Sequence, residues 1–234
     1  MQNNKREFIL VSKKDEAIDV VSLYFNTVDG VKYEFIAGQF VEIKPPRLTG
    51  HGKSYTISST PDDELIRITI KRKGAVSSAI IDLNIGDQIE FEGPYGVFYP
   101  DETMKDIVML AGGVGITPFI SVIKDNIDKQ NDIKMTLFYS NKTLGDVTFF
   151  DELNELCEKT PNLTVVNCLT QDEKPYKNID EHQRINKDVI NKYLTLIDGK
   201  NFYICGSISF VADMWRMLKG IGVDEECIYT ESFY

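Results

Sequence analysis

The apolar positions of this chain change their period near residue 100. Before that point they recur at every second position. In LIRITIKR (Leu65–Arg72), Ile66, Ile68 and Ile70 share one face and Arg67, Thr69 and Lys71 share the other. That is the alternation of a strand with one face in a core and one in water. REFILVS, DVVSLYF, QFVEIK, SYTISS and QIEFE are shorter apolar or β-branched runs. Turn residues separate them: Asp29-Gly30, Pro45-Pro46, Pro61-Asp62 and Gly86-Asp87. Six short strands spaced this way predict a small antiparallel barrel. One helix interrupts it: SSAIIDL follows Gly74, with Ser77 placed as its N-cap.

Beyond residue 100 the period lengthens. IVMLA (Ile107–Ala111) is a short buried strand. After the glycines, Thr117 can cap a helix with Pro118 at its first position, and Phe119, Ile120, Ile123 and Ile127 share one face of that helix. MTLFYS, LTVVNCL, NFYIC and CIY read as further strands; TFFDELNELCEK and the stretch carrying Val211, Met214, Trp215 and Leu218 read as helices. Strands alternating with helices predict an α/β doubly wound parallel sheet. The expected boundary lies in YPDETMKD, after Phe98, giving domains at 1–100 and 101–234.

Composition narrows the function classes. At 42% hydrophobic the chain can bury a sizeable core, and it has no run of about 18 apolar residues. The start, MQNNKREFIL, has no cleavage-like site of small residues, so a soluble, cytoplasmic protein is expected. The net charge of −10 argues against nucleic acid as a partner. Cys157, Cys168, Cys205 and Cys227 form no closely spaced pair, and His51 and His182 stand apart. No metal centre is expected, and the cysteines read as free thiols.

Three stretches carry candidate chemistry. AGGVGITPF (Ala111–Phe119) joins a parallel strand to its helix. Its glycines allow a tight bend and close approach of a diphosphate, and a helix N-terminus adds N–H donors and a favourable dipole. The spacing is not that of the G-x-G-x-x-G fingerprint. KRKGAVSSAI (Lys71–Ile80) offers a second glycine turn at a helix start. YICGS (Tyr203–Ser207) sets Cys205 and Gly206 at the carboxyl end of a strand, where open α/β sheets bind ligands. Each has a plainer reading as a turn, a capped loop or a packing thiol.

Together these stretches give the chain a resemblance, along essentially its whole length, to the ferredoxin–NADP reductase superfamily. KSYT resembles that family's R-x-Y-[ST] flavin motif and GAVS its G-x-x-S diphosphate motif. GPYGVF is similar to the close of its flavin domain, and GGVGITP to its nicotinamide-nucleotide loop. ICGS is similar to the C-G turn of a late strand, and TESFY to the acidic–aromatic C-terminus. The resemblance implies a six-stranded Greek-key flavin barrel followed by the α/β nucleotide domain. It implies Tyr55 against the flavin of FAD and the Thr56 hydroxyl near N5, with Ser54 beside them. Lys53 and Ser77 would flank the diphosphate. Ile70, Arg72, Gly74 and Val76 would line the cofactor chain. For NADPH or NADH it implies Gly113, Thr117, Ser140, Asn141, Lys142, Cys205, Gly206, Phe233 and Tyr234. Thr56, Cys205, Glu231 and Tyr234 would attend the chemistry.

The chain departs from the family at three points. Lys53 stands where Arg is usual, Ser207 where Pro is usual, and Lys142 where many relatives have Arg. Lysine offers a point charge without a bidentate fork. The implied function is a flavoprotein that takes a hydride from NAD(P)H onto FAD and passes electrons to a separate one-electron acceptor, such as a small redox protein. An electron-transfer subunit of a larger complex, a free-flavin reductase and a non-catalytic nucleotide-binding module are the alternatives. Residues 1–100 carry 12 Lys/Arg against 14 Asp/Glu, and residues 101–234 carry 14 against 22. Docking of an acidic acceptor is therefore expected on the barrel half, at Lys71, Arg72 and Lys73.

Overall fold

The computed structural model describes residues 5–45, 52–101 and 103–233. Six strands form the first sheet: β1 (Lys5–Ala17), β2 (Val20–Thr27), β3 (Phe40–Ile43), β4 (Lys53–Thr56), β5 (Ile66–Lys71) and β6 (Gln88–Tyr95). Their order is β4-β3-β6-β1-β2-β5, with antiparallel neighbours throughout. A bridge between Ile57 and Ile68 brings the end of β4 onto β5 and curls the sheet into a barrel. Alternate side chains fill it: Phe8 and Leu10 from β1, Leu23 and Phe25 from β2, Ile66, Ile68 and Ile70 from β5, and Phe91 from β6. Phe8 stacks on Phe91 at 4.2 Å between ring centroids. Each such side chain contributes about 1.5–3 kcal/mol by leaving water.

The period-two expectation for β5 holds for its apolar row and fails for its polar row. Arg67 and Thr69 are 5% and 4% exposed, and only Lys71 reaches solvent. The second domain covers Arg67. The Thr69 hydroxyl lies 2.7 Å from that of Ser22 and 2.8 Å from that of Ser58, which removes its need for water.

The barrel helix α1 (Ala75–Ile81) starts earlier than its sequence suggests. Gly74 is the N-cap and Ser77 sits inside the first turn. The Ser77 hydroxyl folds back, accepting from the N–H of Lys73 at 2.9 Å and of Gly74 at 3.1 Å. That backward bond, rather than a forward cap, fixes the turn.

The second sheet has β7 (Asp106–Gly112), β8 (Lys134–Asn141), β9 (Leu163–Leu169), β10 (Asn201–Ser207) and β11 (Ile228–Phe233). All pairs are parallel, in the order β11-β10-β7-β8-β9. The chain therefore leaves β7 in one direction and returns to its other side at β10, which puts the switch point between them. Helices α2 (Thr117–Asp128) and α3 (Phe150–Lys159) cover one face, through Phe119, Ile120, Ile123, Leu153 and Leu156. Helices α4 (Lys187–Tyr193) and α5 (Ile208–Gly220) cover the other, through Val189, Ile190, Met214 and Leu218.

Two details differ from expectation. Thr117 is the first residue of α2 and not its cap, because Gly113–Ile116 already form a 3-10 turn that runs into the helix. The Thr117 hydroxyl donates to the Val114 carbonyl at 3.1 Å. The sequence reading also passed over α4, whose seven residues are too few to show a helical period. Its start is marked by Asn186, which accepts from the N–H groups of Asp188 and Val189.

Candidate functional site

The two domains meet along the α2/α3 face. Phe98, at the end of the barrel segment, packs between Phe119 and Tyr203, at 5.8 and 5.3 Å. The Ser121 hydroxyl of α2 donates to the Ser59 carbonyl at 2.6 Å. The strand that carries Lys53–Thr56 is thereby tied, three residues on, to the helix that follows the glycine turn.

On β4, Lys53 and Ser54 are exposed and Tyr55 is half-buried against the barrel core. Burial pushes the Tyr55 phenol up to about 12, so it stays neutral. Thr56 is 3% exposed, yet its Oγ1 has no hydrogen-bond partner among the described residues. A buried hydroxyl left this way is costly unless a ligand completes it. At the β5–α1 turn, a Cβ placed on Gly74 would meet nothing within 4 Å. The side chain of Ile70 lies in the barrel core, so only its backbone can border a ligand. Val76 packs on the same core from outside. Arg72 is engaged by Asp82 at 2.8 Å, and Lys71 lies 3.9 Å from Asp146. Lys71 and Arg72, expected to form a docking face, thus have carboxylates beside them.

In the second domain, Gly113 adopts φ +55 and a Cβ there would meet nothing within 4 Å. This residue leaves open space beside the start of α2, where a phosphate could approach. Gly115 has the opposite setting: a Cβ there would collide with the Cys205 carbonyl. At the end of β8, Ser140 is half-buried and Lys142 exposed, while the buried Asn141 has both side-chain polar atoms unpartnered. Cys205 and Glu231 are register partners on β10 and β11, as are Gly206 with Ser232 and Ser207 with Phe233. The Cys205 thiol is fully buried and held well above its usual range, by burial first and then by Glu231. Burial lifts Glu231 to about 7, and its Oε2 has no partner among the described residues. Phe233 packs against the α2/α3 core. Tyr234 lies outside the described residues.

Sequence reasoning missed Phe210. Its ring lies over both Gly112 and Gly206, 2.8–3.3 Å from where Cβ atoms would stand. Gly112 has an ordinary φ of −114, so the lack of a side chain there serves packing and not a special backbone. It also missed Arg67 and Glu152, which meet across the domains at 2.7 Å. Their sequence signal is that of ordinary exposed charges.

The orphaned hydroxyl of Thr56 beside a flat phenol, the open glycine turns, and the unpartnered Asn141 and Glu231 fit a flavin nucleotide on the barrel and a nicotinamide nucleotide on the sheet. A flavin barrel joined to a nucleotide-binding parallel sheet defines a reductase of two-cofactor design. The family models agree. An oxidoreductase FAD-binding domain matches residues 7–99, and an oxidoreductase NAD-binding domain matches residues 109–215. The chain joins an oxidoreductase FAD-binding domain to an oxidoreductase NAD-binding domain in a ferredoxin–NADP reductase-like fold.

Among curated relatives, a flavohemoprotein of Bacillus subtilis (strain 168) is 30% identical over 236 residues, covering 97% of this chain. This chain spans 59% of that protein's length. The FAD/NAD-binding domain of nitric oxide dioxygenase from Vibrio cholerae O1 biovar El Tor superposes with a TM-score of 0.86 at 24% identity, covering 97% of this chain and 98% of that one. A ferredoxin NADP+ reductase from Neisseria gonorrhoeae, solved with FAD and NADP, superposes at 0.85 with 22% identity and covers 99% of both chains. The two structural likenesses speak to fold. Among the described residues no helix is long and apolar enough to cross a membrane.

Proposed function

We propose that this chain reduces its FAD with NAD(P)H and passes the electrons to a separate one-electron acceptor. The observation that carries the reading is the buried, unpartnered Thr56 hydroxyl beside Tyr55, on a strand pinned to the nucleotide domain through Ser59 and Ser121. Bound FAD supplies a centre that takes a hydride, two electrons with one proton, from reduced nicotinamide and returns the electrons singly.

The residues around it orient and shield. Tyr55 offers a flat apolar face with a neutral polar tip. The unpartnered Thr56 hydroxyl would give a bound flavin a hydrogen-bonding group beside Tyr55. Lys53 brings positive charge near the diphosphate, and the Ser77 hydroxyl shapes the turn beside it. Gly113 leaves room for the nucleotide diphosphate at the start of α2. Asn141 and Lys142 meet its adenosine end, with Lys142 the cation available to a 2′-phosphate. Cys205 and Glu231 close the far end of the nicotinamide crevice. Glu231, protonated up to about pH 7, can hold a proton there. Phe233, packed against the α2/α3 core at the end of β11, puts an aromatic side chain beside this crevice.

For the acceptor we favour a small redox protein of the kind implied by the gonococcal relative's name. The B. subtilis relative carries additional length in its own chain, so an acceptor held in a larger assembly is the competing arrangement. The test is steady-state reduction of a one-electron dye and of ferredoxin-like proteins with NADH and with NADPH. Dye reduction by the isolated chain supports the reading; none with either nucleotide contradicts it. In the same assay Lys142→Ala should lower kcat/KM for NADPH relative to NADH severalfold, and an unchanged ratio would remove Lys142 from the site.

A further inference from the structure

Arg67 is a charge taken almost wholly out of water, in a strand whose pattern would leave it exposed. Such a charge persists only when its donors are filled. Nε and Nη2 donate to the Ser58 carbonyl at 3.3 and 2.7 Å, and Nη1 donates to Glu152 Oε2 at 2.7 Å. The guanidinium also lies 4.5 Å from the ring centroid of Phe149. Glu152 Oε1 is 3.6 Å from Lys124, which is 3.1 Å from Asp63. Asp63 and Arg67 belong to the barrel, whereas Lys124 and Glu152 belong to α2 and α3. The chain of charges therefore crosses the domain boundary twice.

Its anchor points are close in sequence to both cofactor regions. Ser58 is two residues beyond Thr56, and Arg67 lies on the strand that leads to Gly74. Phe149 caps α3, the helix entered from the Ser140–Lys142 turn. It holds φ +63, a left-handed backbone that a phenylalanine adopts only under constraint from its surroundings. Arg67 stacks on that constrained residue.

We propose that Arg67 is a positioning residue: acting through Ser58 on one side and Phe149 and Glu152 on the other, it fixes the spacing between the flavin strand and the nucleotide crevice. This inference rests on the reductase reading. Hydride transfer is steep in the separation of its reacting atoms. A loosened clamp should therefore slow the transfer while each domain still binds its own ligand.

The test uses the FAD-loaded full chain, with Arg67→Met and Glu152→Gln. Flavin reduction is followed anaerobically by stopped flow at saturating NAD(P)H and 4-deuterated NAD(P)H. Arg67→Met should reduce at least about tenfold more slowly, with a deuterium effect at least as large as in the unaltered protein. Its FAD content and nucleotide Kd should stay within about twofold. Glu152→Gln should show a smaller slowing in the same direction. An unaltered rate in a folded Arg67→Met protein, or slowing accompanied by loss of FAD or of nucleotide affinity, would overturn the proposal. If Arg67→Met does not fold, Glu152→Gln decides: slower reduction supports it and an unaltered rate overturns it. Failure of the unaltered protein to be reduced would instead contradict the reductase reading itself.

Discussion

The two glycine turns look alike in sequence and are held by opposite means. In the barrel, the turn at Gly74 is fixed by a side chain, the Ser77 hydroxyl bonded to two backbone N–H groups, and Gly74 itself faces open space with an extended φ of −170. In the parallel sheet, the turn after β7 is fixed by the absence of side chains. Gly115 lies against the Cys205 carbonyl, and Gly112 lies under the Phe210 ring. A ligand site can thus be shaped by a hydrogen bond that leaves room or by backbone packing that leaves none. The two should respond differently to the same substitution.

The largest effect is expected at Gly115. An added methyl there must displace strand β10, so Gly115→Ala should cost about 3 kcal/mol or more, read by urea denaturation, and should abolish nucleotide binding. Charge gives the next contrast, because Glu231, the half-buried register partner of Cys205, sits beside this turn. Its folded value of about 7 lies above its ordinary value of 4.5, so the folded FAD-free protein binds this proton more tightly than the unfolded chain. Its contribution to stability is complete below pH 4.5 and is lost as pH rises through 7, by about 3 kcal/mol at most. Glu231→Gln should flatten stability over that window, as measured by denaturation at a series of pH values.

Effects in the barrel turn should be smaller. Ser77→Ala frees two N–H groups in a partly wet loop and should cost about 1 kcal/mol, together with weaker FAD retention. Gly74→Ala should leave stability within about 0.5 kcal/mol, since alanine accepts the same backbone and meets no neighbour. If the open space at Gly74 is cofactor space, the same variant should still lose FAD affinity. Retained affinity would make it an ordinary solvent-facing turn.

The same contrast explains what the sequence could disclose. All six barrel strands were legible, β5 by its period of two and the others as apolar or β-branched runs between turn residues. The glycine turns were legible because few residue types permit them. Positions decided by the meeting of distant parts were not. Arg67 and Thr69 read as a wet face, since nothing local records that α3 and the Ser22 and Ser58 hydroxyls cover them. Ser77 read as a cap because its backward bond to Lys73 depends on the turn's shape. Phe210 was not singled out at all, although its ring accounts for the glycines at 112 and 206. Cys205 and Glu231 were each visible, but their side-by-side register follows only from the parallel pairing of β10 and β11.

The account stands most directly on one measurement, an anaerobic visible titration of the purified protein reconstituted with FAD. A flavin spectrum bleached by about one equivalent of NADH or NADPH, and restored by a one-electron oxidant, is the predicted result. A protein that fails to bind FAD, or whose bound flavin neither nucleotide bleaches, would contradict it.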